Sequence, residues 1–167
     1  MEKKHGWHSR GYFPHYNADK LTQSITFRLA DSPLPQKPGA KRAIGKCILQ
    51  IPSVARVVIG SLYNFNSQRY ELHAWVVMPN HVHILLTPKM GWDISTIIKS
   101  WKSFSARRIN QLLGTQGPIW QPDYFDRYIR DADHFDEVYS YIEENPVRAG
   151  LVTHREKWRF SSAFKGP

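Results

Sequence analysis

The chain has 167 residues, 23 Lys plus Arg against 14 Asp plus Glu for a net charge of +9, and one cysteine, Cys47. That length suits a single domain over 1–167 rather than two, the lone cysteine excludes an intramolecular disulfide and any cysteine-rich zinc module, and no apolar run is long enough for a signal peptide or a membrane span. A cytoplasmic protein with no membrane partner is expected, and the basic balance beside 8 Phe, 8 Tyr and 6 Trp puts nucleic acid first among partners, since phosphates need cations and unstacked bases need aromatic surfaces.

Residues 1–20 mix His, Gly, aromatic and basic types without periodicity and read as an irregular arm. Over 21–30 the alternation of Ile25, Phe27 and Leu29 with Thr22, Ser24, Thr26 and Arg28 predicts a first strand with one solvated side. Residues 33–46, with three prolines, two glycines and three lysines, predict an exposed insertion, and no motif is visible over 32–56. From Ser53, a candidate N-cap, to Phe65, the residues Val54, Val57, Val58, Leu62 and Phe65 recur at helical spacing. Two apolar arms over 73–86 hinge at Pro79-Asn80 and predict a hairpin. His81 and His83 then share one face of a strand, where two imidazoles could hold one metal ion; a half-buried, hydrogen-bonded histidine is the bland alternative, and spacing by itself weighs the two evenly.

Asp93 is a cap for a helix to about Leu113, with Ile94, Ile97, Ile98, Trp101, Phe104, Ile109 and Leu112 as its buried stripe. Lys99, Lys102, Arg107 and Arg108 lie largely off that stripe, as an ordinary solvated face or as contacts to phosphate. Residues 123–130 alternate as a fourth strand, and Asp133 caps a last helix ending at Asn145 before Pro146, with Phe135, Val138, Tyr139 and Ile142 inward. Tyr141 and Asn145, four apart, share a face of it. The order strand, helix, strand, strand, helix, strand is an α+β, ferredoxin-like split βαβ pattern: an antiparallel sheet with helices on one face, plus a C-terminal helix carrying Tyr141.

Pro79-Asn80-His81-Val82-His83 inside an apolar hairpin resembles the His-hydrophobic-His signature of the HUH superfamily of single-strand DNA nucleases. Arg10-Gly11-Tyr12-Phe13-Pro14-His15, Trp120-Gln121 with Tyr124-Phe125-Asp126, the run from Tyr141 to Val152, and Trp158-Arg159-Phe160-Ser161-Ser162 resemble, in order, the REP-associated branch of single-tyrosine transposases. The resemblance implies that Tyr141 is the nucleophile, with Tyr139 as runner-up, and that His81, His83 and Asn145 hold Mg²⁺ or Mn²⁺. It implies cleavage of single-stranded DNA near hairpins of repeated palindromic elements through a 5′-phosphotyrosine link, leaving a free 3′-hydroxyl. Arg10, Lys99, Lys102, Arg107, Arg108 and Arg148 are the candidate DNA contacts; a homodimer and a monomer are both open.

Two other readings compete. A non-catalytic module binding single-stranded DNA or RNA would use the same sheet, aromatics and basic flanks, but would never become covalently attached to DNA. A metal hydrolase using bound water would cut without an adduct; no acidic residue follows the histidines at metalloprotease spacing, which ranks it last.

Overall fold

The computed structural model describes residues 6–9, 14–17, 20–32 and 45–166. Arg10 and most of the expected insertion, residues 33–44, lie outside the described residues. In place of an irregular arm, β1 (Gly6–Ser9) and β2 (Pro14–Asn17) pair as an antiparallel ribbon, in register from Gly6 opposite Asn17 to Ser9 opposite Pro14.

The main sheet contains β3 (Gln23–Arg28), β4 (Tyr70–Val77), β5 (His81–Pro88) and β6 (Phe125–Tyr128), in the order β4-β5-β3-β6 with every neighbouring pair antiparallel. With α1 (Pro52–Tyr63) between β3 and β4 and α2 (Ile94–Leu113) between β5 and β6, this is the expected split βαβ arrangement. The β4–β5 hairpin turns at Pro79-Asn80 as the sequence predicts. A bulge at His73 shifts the register between Leu72 and Ala74, so the alternation changes phase and Trp75 and Val77 join the core.

That core lies between one face of the sheet and α1 and α2. Ile25, Phe27, Val82, Ile84 and Leu86 meet Val54, Val58, Leu62, Ile97 and Trp101 there, and all are essentially inaccessible. Trp101 donates its indole N–H to the Tyr70 hydroxyl at 2.9 Å, so even the polar edge of this aromatic layer is satisfied. α2 begins as expected, the Asp93 carboxylate accepting from Thr96 N at 2.8 Å, and ends at Gly114, whose φ of 63° suits a left-handed cap.

Four further sequence expectations fail in detail. Ser53 is not the cap of α1: Pro52 takes the first helical position, where its missing N–H costs nothing, and Ile51 stands at the N-cap with no side-chain bond. Phe104 and Leu112 are exposed rather than in the α2 stripe, and Ser105 is buried instead, its hydroxyl bonded to Trp101 O and accepting from Trp120 Nε1. The last helix, α3 (Ala132–Arg148), is capped by Asp131, which accepts from His134 N at 2.8 Å, leaving Asp133 in the first turn. It also runs through Pro146 rather than stopping before it, because a proline two residues from the end removes a single N–H while Gly150, at φ 72°, closes the terminus with Gly150 N donating to Val147 O.

α3 crosses the opposite face of the sheet. Ile142, Phe135, Val138 and Tyr139 pack on Ala74, Val76, Met78 and Leu85 of the hairpin half, together with Ile129 and Trp158. Among the described residues nothing covers the β3–β6 half of that face beside α3. Beyond α3 the chain returns to the outer edge of β4: Phe160 O accepts from Val77 N at 2.8 Å, and Ser162 N donates to Trp75 O at 2.9 Å, which covers an edge that would otherwise be open.

Glu143 ties the tyrosine helix to this returning segment. Its carboxylate is 5% exposed, accepts from Ser162 Oγ at 3.0 Å and faces Arg155 at 3.5 Å. Glu143→Ala removes one acceptor from each, leaving Ser162 its bond to Trp75 O and Arg155 its pairs with Glu144 and Glu156, and is expected to cost about 1 kcal/mol, read as a lower urea midpoint with an unchanged denaturant slope. A midpoint within error of the parent would show that the tie contributes nothing.

Candidate active site at the paired histidines

On the face away from the core, β5 presents His81 and His83, and β3 presents Thr26 opposite His83 and Arg28 opposite His81. The two imidazoles meet edge to face, with their Nε2 atoms 3.1 Å apart. His81 Nδ1 donates to Asn80 Oδ1 at 2.7 Å, and the Asn80 amide is oriented by its Nδ2 donating to Ser32 Oγ at 3.1 Å. His83 Nδ1 lies 2.7 Å from the Thr26 hydroxyl, which can donate or accept by rotating. Each ring therefore has its Nδ1 engaged by a neighbour while both Nε2 atoms converge.

This donor set fits a divalent cation. Two nitrogens each ~2.1 Å from one centre at a right angle lie ~3 Å apart, and ligating histidines ordinarily engage their other ring nitrogen in this way. Burial and the Arg28 guanidinium hold His83 down at about 3, and burial, then His83 and Arg28, hold His81 well below its usual value. Both rings are neutral at physiological pH, the state in which imidazole ligates metal. Among the described residues no group of three His, Cys, Asp or Glu is arranged for a cation, so a third protein donor would be of another type, such as the Asn145 amide. Thr26→Val keeps the shape and removes the hydroxyl; Mn²⁺ affinity by calorimetry is expected to fall about 10–100-fold, with Thr26→Ser near the parent. Equal affinity in the valine variant would show that Thr26 does not orient His83.

Tyr141 reaches this pair from α3. Its ring centroid is 5.8 Å from that of His83, it is 44% exposed, and the Arg148 guanidinium carbon sits 5.0 Å from its ring centre. Asn145 follows one turn later on the same helix and is half-buried. Tyr141 and Arg148 border a cleft of about 1380 Å³ between α3 and the β3–β6 half of the sheet, lined also by Thr26, Arg28, His83 and Arg127 and, along α3, by the carboxylates of Asp133, Asp136, Glu137 and Glu144; Asn145 is not among its lining residues. Of the residues singled out in the sequence, His81, His83, Tyr141 and Arg148 are thus brought together.

The α2 cations are not. α2 packs on the opposite face of the sheet, so Lys99, Arg107 and Arg108 lie away from the cleft. Lys102 is held in structure: its ammonium donates to the carbonyls of Gln121 at 2.6 Å, Pro122 at 3.2 Å and Asp123 at 3.3 Å, and burial lowers it to about 8. Sequence reasoning missed Thr26, Arg28 and the role of Asn80. Their signal was the polar side of the first strand, which reads as solvated until its register with His81 and His83 is known.

The split βαβ sheet thus brings two convergent imidazoles and a helical tyrosine together. The chain belongs to the family of IS200-like transposases, whose model matches residues 61–145, from the end of α1 through the hairpin to Asn145. It is 31% identical over 93 residues to the REP-associated tyrosine transposase of Escherichia coli (strain K12), covering 56% of this chain and 54% of that one. A relative from Haemophilus influenzae is 26% identical over 103 residues, covering 56% of this chain and 58% of the other. The chain thus spans about half the length of the curated relatives it matches. A solved structure of the REP-associated tyrosine transposase bound to a REP hairpin shares the fold, with a TM-score of 0.66 at 23% identity over 92% of this chain and 82% of that one. No helix among the described residues is long and apolar enough to cross a membrane.

Proposed function

We propose that this chain is a metal-dependent, single-tyrosine nuclease and strand transferase of the REP-associated branch, acting on single-stranded DNA beside hairpins. The observation that carries the reading is the Tyr141 ring 5.8 Å from His83, whose Nε2 is paired at 3.1 Å with that of His81. The relatives' identity and the hairpin bound in the structural neighbour support the branch and the substrate class.

A divalent cation held by His81, His83 and Asn145 would supply Lewis-acid polarisation of the phosphodiester. The chain's own residues do the rest. The cleft receives an extended strand against the uncovered sheet face, with Arg127 and Arg148 meeting its phosphates. Tyr141 Oη bonds to phosphorus as the bond to the 3′-oxygen breaks; the phenolic proton passes to solvent, and the departing oxygen takes a proton from water. The phosphotyrosine conserves the phosphodiester, so a second 3′-hydroxyl can reverse the step and join strands.

Labelled hairpin DNA with a single-stranded flank, incubated with protein and Mn²⁺ and run on a denaturing gel, tests this. Cleavage with a DNA-shifted protein band, both abolished by EDTA, is the expected result. Tight binding with neither would make the chain a binding module, and cutting without a shifted band would indicate attack by water.

A further inference from the structure

Arg28 carries a charge that the fold does not neutralise. It is half-buried on the cleft side of β3, directly opposite His81 in the β3–β5 ladder, so the two Cβ atoms stand about 5 Å apart. The backbone is held on both sides here: Arg28 O accepts from Gln121 N at 2.9 Å, and on the β5 side Leu29 N donates to Asn80 O at 3.0 Å. Among the described residues no carboxylate forms an ion pair with it. The groups that feel its charge are His81, His83 and Tyr141.

A half-buried guanidinium beside two neutral imidazoles is costly, since burial disfavours the cation and, among the described residues, no carboxylate pairs with it; Tyr141 is the group whose charge favours it. It also opposes a second cation at the histidine pair. Such a group makes physical sense if an anion occupies the cleft and bridges it to the tyrosine. A hydrophobic or amide side chain would pack the same position without that cost.

We infer that Arg28 is a catalytic residue of the proposed reaction: its guanidinium binds a non-bridging oxygen of the scissile phosphate, beside Tyr141 and opposite Arg148, and stabilises the charge that builds there. The inference rests on the tyrosine reading above. As Tyr141 Oη joins phosphorus and the 3′-oxygen leaves, negative charge on the equatorial oxygens grows. A planar fork carried on the cleft side of β3 would offer its donors to those oxygens.

The test uses Arg28→Gln and Arg28→Lys in the full chain, with single-turnover cleavage of hairpin DNA, hairpin affinity, and Mn²⁺ affinity of the DNA-free protein by calorimetry. In Arg28→Gln, cleavage should fall about 10²–10³-fold, the loss seen when one preorganised charge-stabilising donor is removed, while hairpin affinity changes less than about tenfold. Mn²⁺ should bind more tightly, because a repelling charge has gone. Arg28→Lys should keep the parent's Mn²⁺ affinity and recover only part of the rate, since an ammonium lacks the fork. A parent-like rate in Arg28→Gln would overturn the assignment, and so would a slower rate accompanied by weaker Mn²⁺ binding and a lower melting temperature, the pattern of a structural residue. The failures are separable: if the parent forms a Tyr141 adduct and Arg28→Gln reacts at the parent's rate, the inference falls and the proposed function stands; if the parent forms no adduct, the proposed function falls first.

Discussion

His83→Ala is expected to reduce metal-dependent cleavage by at least about 10²–10³-fold while leaving most hairpin affinity in place. The substitution removes one of two Nε2 atoms 3.1 Å apart and strips the Thr26 hydroxyl of its 2.7 Å partner. A single imidazole left in the cleft, with Arg28 still beside it, has little hold on a divalent cation. Loss of one electrostatic stabiliser in a preorganised site costs about this much in rate. Hairpin affinity depends instead on many phosphate contacts, so it should change little. Stability should also change little, because His83 lies outside both apolar clusters. The checks are Mn²⁺ calorimetry and single-turnover cleavage with and without EDTA. Full activity in His83→Ala and His81→Ala, with EDTA harmless, would exclude a metal-dependent mechanism.

Much of this centre is legible in the sequence because it is built from local signals. The hairpin shows through its apolar arms and the Pro79-Asn80 hinge, and strand alternation alone puts His81 and His83 on one face. α2 is bounded at both ends by residues with a stereochemical reason to be there, Asp93 and Gly114. The parts that were not legible depend on distant pairings. Arg28 belongs to the site only because β3 lies beside β5 in a register that sets it opposite His81. Seen alone, it is one polar residue on a half-solvated strand.

The same holds for the charges. Lys99, Lys102, Arg107 and Arg108 look like a phosphate-binding face on a helical wheel, but which side of the sheet α2 covers is decided by the chain's crossover. Lys102 is further claimed by three loop carbonyls that no helical spacing reveals. Asp131 and Asp133 are equally good caps by type, and the choice between them is made where α3 meets β6. Glu143 is buried because Ser162 and Arg155, from a segment with no periodicity of its own, fold back onto it.

Tyr141→Phe is expected to eliminate cleavage and covalent capture together, a larger effect than any other single-atom change in the chain. The phenyl ring is retained, so its contacts with His83 and with the Arg148 guanidinium survive in shape. Tyr141 is 44% exposed, so the lost hydroxyl faces water and the fold should lose no more than about 0.5–1.5 kcal/mol. Hairpin affinity should be close to the parent's. Tyr139 supplies the internal control: it sits in the smaller apolar cluster, packed on Phe135 and hydrogen-bonded to Glu143. Tyr139→Phe should therefore keep its cleavage rate within a few-fold and lose a little stability, the reverse of the Tyr141 pattern.

Mass spectrometric mapping of the DNA-linked peptide is the most direct test of the account. Protein trapped on a single-stranded hairpin substrate with Mn²⁺ should carry the DNA mass on the peptide containing Tyr141, as a phosphotyrosine whose partner strand ends in a free 3′-hydroxyl, and Tyr141→Phe should yield no such species. DNA found on Tyr139 or another tyrosine, or complete cleavage with no linked peptide at all, would contradict it.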